Sequence, residues 1–168
     1  MTTRLEENAH IFAGAAHAAV GQVRKYTGDP YIVHPSRVRD TLVDAGITNP
    51  DVLASALLHD VVEDTHITLD LINTVFGKRV RDIVEALTDV PTVEGGPNRK
   101  ARKAMDRARI ALADADVHTI KAADLIDNTS SIVEFDPKFA KVYLAEKALL
   151  LEVLTKADPK LLARAKGE

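Results

Sequence analysis

The pattern of apolar and polar positions along the chain contains no convincing stretch of strict alternation, which is the pattern of a half-buried strand. Alanine and leucine are abundant, whereas aromatic residues, which favour strands, make up only 4% of the sequence. The sequence therefore predicts an all-α fold.

Capping residues, prolines and glycines divide the chain into a series of predicted helices. The segment from 90 to 97 holds two prolines and two glycines, which predicts a loop. The predicted helices span Thr3 to Lys25, His34–Ser36 to Gly46, Asn49 to about Asp64, Thr68 to Phe76, Lys78 to Thr88, Asn98 to Ala113, Asp116 to Ser131 and Pro137 to Lys156.

The length of 168 residues is typical of one domain that buries its own core. We expect a single domain over residues 1–168, with a core from about 20 to 156 and a surface tail from about 157 to 168. An apolar stripe near the end of the last long helix belongs either to this core or to the interface of a homo-oligomer: Leu149, Leu150, Leu151 and Leu154.

The composition bears on whether the protein binds nucleic acid, spans a membrane or contains disulfides. The formal net charge is −3, so no basic surface argues for binding DNA or RNA. No apolar run approaches the roughly 20 residues of a membrane span. The chain holds no cysteine, which excludes disulfides and thiol nucleophiles and, with no signal peptide, favours a cytoplasmic protein.

The segment LLHDVVED, residues 57–64, places a histidine and three carboxylates in an otherwise apolar helical pattern. On a helix the polar side chains share one face: His59, Asp60, Glu63 and Asp64. Adjacent acids near a helix C-terminus meet the unfavourable end of the helix dipole, and a bound metal would remove that penalty. The spacing alone leaves two interpretations open, a solvent-facing stripe or a metal site.

Two other segments offer matching ligands. His34 in YIVHP lies between an apolar run and a proline, and Asp124 interrupts the apolar row of TIKAADLIDN. A carboxylate in such a row is either exposed or paired with a cation, because an unpaired buried charge is prohibitive. Together with His59 and Asp60, these residues would form a nitrogen and oxygen ligand set suited to Mn²⁺, Fe²⁺ or Zn²⁺. Spacing alone leaves structural roles equally open.

Taken together, the motifs YIVHP, LLHDVVED and IKAADLIDN resemble the HD-domain metal phosphohydrolases. More narrowly, they resemble the hydrolase domain of RelA/SpoT-type alarmone enzymes and the small stand-alone alarmone hydrolases. The resemblance runs from about Gln22 to the last long helix. It implies an all-α fold, the helical bundle of the HD domain.

The resemblance also implies a reaction. Members of the family remove pyrophosphate from the 3′ position of guanosine 3′,5′-bis(diphosphate) and its pentaphosphate analogue, together (p)ppGpp, to give GDP or GTP. One divalent metal, typically Mn²⁺, would be held by His34, His59, Asp60 and Asp124. Glu63 and Asp64 would position and deprotonate the attacking water. Glu63 is the expected principal base and Asp64 its partner, with the reverse division of roles as the alternative.

A substrate with two diphosphates needs basic residues near the site despite the negative net charge. The resemblance implies one basic pair before the Gly-Asp-Pro-Tyr turn and one lysine or arginine among residues 99–103, without deciding which of them faces the site. It also implies a nucleotide-contacting asparagine and a nearby aromatic ring, for which core packing is the alternative. The expected substrate-binding residues are Arg24, Lys25, Arg99, Lys103, Asn128 and Tyr143.

Leu125 and Ser130 depart from the family, whose members commonly carry basic residues there. Two alternatives stay open: the same scaffold acting on an adenosine alarmone or the 2′-phosphate of NADPH, and a non-catalytic nucleotide-binding HD module. The second should have lost ligands or the acidic pair, and this chain retains them. We expect hydrolysis alone, because 168 residues leave no room for the synthetase and regulatory domains of long members.

Overall fold

The computed structural model describes all residues from 1 to 168 and contains ten α-helices, with no strand beyond one isolated bridge between Val23 and Pro30. The all-α prediction is confirmed. None of the ten helices combines the length with the apolar character that crossing a membrane requires. The helices are α1 (Arg4–Ala19), α2 (Val33–Asp44), α3 (Pro50–Leu58), α4 (Val61–Asp64), α5 (Leu69–Phe76), α6 (Lys78–Leu87), α7 (Arg99–Ala111), α8 (Ala115–Phe135), α9 (Pro137–Val153) and α10 (Pro159–Lys166).

The chain forms two compact units, Met1–Glu85 and Ala86–Glu168, and the single domain expected from its length stays a prediction. In the first unit α3 packs against both α1 and α2, and α4 packs against α1. The apolar core of this unit is formed by Ala9, Ala13, Ala54, Leu57, Leu58, Val61, Ile72, Phe76, Val80 and Val84.

Helix α1 begins with a capping box and ends earlier than predicted. Thr3 Oγ1 accepts a hydrogen bond from the amide of Glu6, whose carboxylate accepts one from the amide of Thr3. The helix stops at Ala19 rather than Lys25 because Gly21 takes a left-handed backbone conformation, with φ of 68°. The residues from 20 to 32 therefore form a connection that crosses the surface between α1 and α2.

The helix predicted from Asn49 to Asp64 is interrupted, so that prediction is wrong in its second half. Helix α3 ends at Leu58 and α4 begins at Val61. The carbonyl oxygen of Ala56, the normal helical acceptor for the amide of Asp60, accepts a 2.6 Å hydrogen bond from His59 Nδ1. The backbone at Asp60, with φ of −99° and ψ of −4°, has the geometry of a turn.

Boundaries marked by a clear cap were predicted well. Thr68 and Asn98 cap α5 and α7 through their side chains, and Gly77 ends α5. The loop from 90 to 97 is confirmed, since the chain is irregular between Leu87 and Arg99.

The second unit is built around α8, which packs against α9 and α10, while α7 packs against α9. Helix α8 extends to Phe135, beyond the predicted end at Ser131, and Pro137 then opens α9. Its buried stretch from 117 to 125 carries Asp124 in an otherwise mainly apolar surface.

The segment from 157 to 168, expected to be a surface tail, folds as a packed helix. Asp158 caps α10, and its amide donates a hydrogen bond to Thr119 Oγ1 of α8 at 3.0 Å. Leu161 and Ala165, one turn apart, are both buried. Among the C-terminal leucines, Leu154 is buried, whereas Leu149 is exposed.

Candidate functional site

The break between α3 and α4 places His59 and Asp60 against His34, the second residue of α2. His59 Nε2 lies 3.2 Å from Asp60 Oδ2, and His34 Nε2 lies 3.6 Å from the same oxygen. The two imidazole rings meet edge to face, with centroids 5.3 Å apart. Both histidines are buried. Three of the four predicted metal ligands therefore lie together in the first unit.

The hydrogen bonding of His59 determines which of its nitrogens can bind a metal. His59 Nδ1 donates to the carbonyl of Ala56 at 2.6 Å, so the neutral ring carries its proton on Nδ1 and its lone pair on Nε2. That lone pair faces a carboxylate oxygen of Asp60, which is also an acceptor. A cation between the two satisfies both atoms, and a backbone carbonyl behind a ligating histidine is the usual supporting contact. The residues present fit a divalent metal with nitrogen and oxygen ligands.

Tyr31 supports Asp60 from the connection that precedes α2. Its hydroxyl donates a 2.6 Å hydrogen bond to Asp60 Oδ2. The Tyr31 ring also contacts His34, with centroids 5.9 Å apart. Tyr31 was not among the predicted site residues, although it opens the YIVHP motif. Its position three residues before His34 was the only feature of the sequence that pointed to a role for Tyr31 in the site.

The acidic pair lies on α4, directly after Asp60. One carboxylate oxygen from each of Asp60, Glu63 and Asp64 lies within 4.8 Å of the other two. Glu63 is exposed, whereas Asp64 is half-buried. Burial raises the pKa of Asp64, and the nearby charge of Asp60 acts in the same direction, while a hydrogen bond from Gln22 opposes them. Asp64 therefore accepts a proton more readily than an ordinary aspartate does.

Gln22 contacts the acidic pair and His17 contacts Gln22, and neither contact was predicted. Gln22 Nε2 donates to Asp64 Oδ2 at 3.0 Å, and Gln22 Oε1 lies 2.7 Å from His17 Nδ1. His17 belongs to the last turn of α1 and is buried. No pattern in the sequence indicated these contacts, because 42 residues separate Gln22 from Asp64.

The two residues of the predicted basic pair, Arg24 and Lys25, contact different aromatic rings. The guanidinium carbon of Arg24 lies 5.7 Å from the ring centroid of Tyr31, which itself binds Asp60. Lys25 Nζ lies 5.0 Å from the ring centroid of Tyr26. Arg24 is thus the member of the pair that adjoins the histidine and aspartate cluster.

In the second unit, Asp124 is a buried carboxylate paired within its own helix. Lys121 Nζ donates to Asp124 Oδ2 at 2.9 Å, and Asn128 Nδ2 donates to Asp124 Oδ1 at 2.8 Å. The expectation that a buried Asp124 needs a cationic partner is met by Lys121. Asn128, expected to contact the nucleotide, holds Asp124 in this structure.

Lys103 of α7 forms an ion pair in the second unit. Lys103 Nζ donates to Asp89 Oδ2 at 3.0 Å. Burial works to raise the pKa of Asp89, but the positive charges of Lys121 and Lys103 outweigh it and hold that pKa below its usual range. Asp89, Lys103 and Lys121 therefore form a charged cluster in the second unit. Asp89 was not predicted, since it follows α6 in a segment without a motif.

The other two residues expected at the nucleotide make structural contacts. Arg99 forms a paired hydrogen bond with Glu146 at 2.7 and 2.8 Å, and its guanidinium carbon lies 5.3 Å from the Phe139 ring centroid. Tyr143 Oη donates to the carbonyl of Leu125 at 3.3 Å and lies 3.0 Å from Thr129 Oγ1. Burial raises the pKa of Tyr143 to about 12. These contacts fasten α9 to α7 and α8.

Comparison with known proteins finds similar sequences among alarmone enzymes. The chain is 33% identical over 132 residues to a guanosine-3′,5′-bis(diphosphate) 3′-pyrophosphohydrolase of Aquifex aeolicus, covering 77% of this chain and 18% of that protein. It is 51% identical over 81 residues to the pyrophosphohydrolase MESH1 of Mus musculus, covering 47% and 45%. The human MESH1 is 38% identical over 112 residues, covering 66% and 60%. The chain thus spans less than two thirds of each of these relatives.

Solved structures with the same fold include a metazoan ortholog of SpoT described as hydrolysing ppGpp. It superposes with a TM-score of 0.85 at 26% identity, covering 99% of this chain and 98% of that one. A protein of Listeria monocytogenes shares the fold, with a TM-score of 0.65 at 24% identity, covering 83% and 96%. The HD domain family matches residues 9–153, which include every predicted site residue. This chain belongs to the HD domain family.

Proposed function

We propose that this protein is a metal-dependent hydrolase that removes pyrophosphate from the 3′ position of (p)ppGpp. The observation that supports this most strongly is the convergence of His34, His59 and Asp60 beside the Glu63–Asp64 pair. The names of the bacterial and mammalian relatives point to the same substrate. A nucleotide substrate of this class also supports a cytoplasmic location, which belongs to the same proposal.

In this proposal His34, His59 and Asp60 supply three metal ligands, and Asp124 of the IKAADLIDN motif supplies the fourth. Mn²⁺ is the proposed ion, from the resemblance and from the nitrogen and oxygen character of the donors. A bound divalent metal polarises a phosphoryl oxygen and lowers the pKa of water. Tyr31 and the carbonyl of Ala56 orient Asp60 and His59 toward the ion.

Glu63 and Asp64 carry out the proton transfer. Water adds to the phosphorus next to the 3′ oxygen, the bond between that phosphorus and the 3′ oxygen breaks, and pyrophosphate leaves the ribose. We propose that Glu63, which is exposed, accepts the proton of the attacking water. Asp64, which Gln22 holds in place, orients the same water. Glu63 then passes this proton to the 3′ oxygen, which stays on the ribose as a hydroxyl group.

Charge on the diphosphates is met by basic side chains despite the net charge of −3. Arg24 is the favoured residue in the first unit because it lies beside Tyr31. Lys103 is favoured on α7, since Asp89 fixes its ammonium group. The remaining members of the proposed binding set are Lys25, Arg99, Asn128 and Tyr143.

A second candidate is the same chemistry on another nucleotide, such as an adenosine alarmone or the 2′-phosphate of NADPH. It is favoured by Leu125 and Ser130, where the resemblance leads us to expect basic residues. Leu125 is buried and apolar, so it supplies no charge to a phosphate.

The experiment that tests the proposal is a competition among these substrates. Purified protein loaded with Mn²⁺ should release pyrophosphate from ppGpp with a higher kcat/KM than it shows for the adenosine analogue or NADPH. The matched control is Asp60→Asn, which should lose bound metal and turnover together. Efficient hydrolysis of NADPH without release of pyrophosphate from ppGpp would replace the proposed substrate, and an active Asp60→Asn would contradict the metal site.

A further inference from the structure

A row of three polar side chains runs from the end of α1 to the acidic pair. His17 Nδ1 lies 2.7 Å from Gln22 Oε1, and Gln22 Nε2 lies 3.0 Å from Asp64 Oδ2. His17 is 1% exposed, and both Gln22 and Asp64 are half-buried. The contacts are therefore partly shielded from water, which strengthens each hydrogen bond.

The chemistry of the three groups assigns a direction to every hydrogen bond in this row. An ionised carboxylate only accepts hydrogen bonds, so the amide nitrogen of Gln22 must face Asp64. The amide oxygen of Gln22 then faces His17, and His17 Nδ1 must carry a proton to donate to it. His17 Nε2, which is buried without a hydrogen-bond partner, is the nitrogen that lacks the proton.

The backbone holds Gln22 in the position that this row requires. The amide of Gln22 donates to the carbonyl of His17 at 3.0 Å, so the chain folds back onto the last turn of α1. Gly21 permits this reversal with its φ of 68°, a conformation that a residue with a side chain rarely adopts. The backbone of Gln22 is thus held by His17, and both the oxygen and the nitrogen of its side-chain amide have hydrogen-bond partners.

The same histidine also adjoins the aromatic residue that supports Asp60. The ring of His17 lies 4.5 Å from the ring of Tyr31, centroid to centroid, and Tyr31 donates to Asp60. The end of α1 therefore supports two carboxylates of the site by separate contacts. Gln22 holds Asp64, and Tyr31 holds Asp60.

We propose that His17 and Gln22 are positioning residues for the hydrolysis, which hold the Asp64 carboxylate toward the attacking water through the fixed orientation of the Gln22 amide. This inference rests on the proposed function, because Asp64 is taken there as the residue that orients the water. Neither side chain touches the substrate in this proposal. His17 acts only through Gln22, and Gln22 acts only through Asp64.

The kinetic test uses Gln22→Met, which keeps the length of the side chain and removes both hydrogen bonds. We expect kcat on ppGpp to fall about tenfold, since a hydrogen bond to a charged group is lost, while KM and Mn²⁺ affinity change less than about twofold. An unchanged kcat would overturn the proposal. A fall in Mn²⁺ affinity that accounts for the whole loss would overturn it as well.

Variants of His17 separate positioning from simple packing. His17→Asn keeps an N–H donor near the position of Nδ1, whereas His17→Leu fills similar space without a donor. We expect His17→Leu to lower kcat about tenfold and His17→Asn to restore it to within about threefold of wild type. The matched control is His10→Leu, an exposed histidine on the same helix, with unchanged kcat. Equal losses in both His17 variants would indicate packing alone and contradict the proposal.

A spectroscopic measurement keeps this inference separate from the proposed function. Long-range ¹H–¹⁵N correlation spectra of the Mg²⁺-loaded protein report which nitrogen of a neutral imidazole carries the proton. We expect His17 in the Nδ1–H form in wild type and a shift toward the Nε2–H form in Gln22→Met. If wild-type protein releases no pyrophosphate from ppGpp, the proposed function fails. The tautomer of His17 still shows whether its Nδ1 donates to Gln22. An Nε2–H form of His17 in wild type would contradict the proposed hydrogen bond from His17 to Gln22 and with it the positioning role of His17.

Discussion

Tyr31 Oη donates a 2.6 Å hydrogen bond to Asp60 Oδ2, joining two residues that stand 29 positions apart in the sequence. The same carboxylate oxygen faces the Nε2 atoms of His34 and His59. The hydroxyl of Tyr31 therefore holds this oxygen of Asp60, a proposed metal ligand, in the direction of both imidazoles.

Removing that hydroxyl should weaken the metal site without unfolding the protein. We expect Tyr31→Phe to lower Mn²⁺ affinity about tenfold, which is the usual loss when a partner of a metal ligand is removed. Isothermal titration with Mn²⁺ measures the change. Tyr26→Phe is the matched control, because Tyr26 lies beside Lys25. Equal Mn²⁺ affinity in Tyr31→Phe and wild type would show that Tyr31 does not support a ligand.

The acidic pair should be separable from metal binding. We expect Glu63→Gln to keep its Mn²⁺ and to lower kcat on ppGpp by about 10²- to 10⁴-fold, the range for loss of a general base. Asp64→Asn should also lower kcat, because a neutral amide accepts the 3.0 Å hydrogen bond from Gln22 less strongly and carries no charge to orient the water. Metal content and single-turnover rates measure the two effects. If Glu63→Gln turned over normally while Asp64→Asn did not, Asp64 would be the base.

The lysines of α7 offer a test of phosphate binding. We expect Lys103→Met to raise KM for ppGpp about tenfold, because a fixed cation is lost from the proposed site. Lys100→Met is the matched control on the same helix, since Lys100 is exposed. Steady-state kinetics at constant ionic strength distinguish the two variants. Equal KM values in both would assign Lys103 to the Asp89 ion pair alone.

The sequence predicted those parts of the fold that depend on local chemistry. Thr68, Asn98 and Pro137 mark helix starts because capping and proline geometry act within a few residues. The break after Leu58 was missed, since it depends on a side chain of His59 bonding to its own helix. An apolar row such as LLHDVV gives no sign of that contact.

For the candidate site, too, some residues were predicted from the sequence and others were not. His34, His59 and Asp60 were proposed as ligands from their chemistry and from the family resemblance, and the structure places the Nε2 atoms of both histidines within 3.6 Å of Asp60 Oδ2. Tyr31 and Gln22 were missed, because their value lies in hydrogen bonds to residues 29 and 42 positions away. Long-range contacts of this kind leave no periodic signal in a single sequence.

The packed C-terminal helix leads to a prediction about stability. Leu161 is fully buried in the second unit, so Leu161→Ala removes apolar contacts and leaves a cavity. We expect the free energy of unfolding to fall by about 2–4 kcal/mol. Leu162→Ala, at a half-buried neighbouring position, should cost clearly less. Urea denaturation compares the two, and equal small losses would indicate that the segment is a surface tail after all.

The pair of Glu6 and Arg39 predicts a dependence of stability on pH. Arg39 donates to Glu6 Oε1 from Nε at 3.0 Å and from Nη2 at 2.8 Å, and Glu6 is 2% exposed. Burial works to raise the pKa of Glu6, but hydrogen bonds from the amide of Thr3 and from Arg39 outweigh it and hold the pKa below its usual range. The folded state therefore binds the proton of Glu6 more weakly than the unfolded state does.

The sign of the effect follows from this lowered pKa. The stabilisation is fully present above the unfolded pKa of about 4.3 and is lost as the pH falls through the lower folded pKa. We expect Glu6→Gln to be less stable than wild type by about 2 kcal/mol at pH 7, because a hydrogen-bonded charge is removed from a buried position. Urea denaturation between pH 7 and about pH 3 should show this difference shrinking as wild-type Glu6 becomes protonated. Glu7→Gln, at the exposed neighbour, is the matched control and should match wild type. A difference that stays constant across that range would mean that the Glu6 charge contributes nothing and that only the shape of the side chain matters.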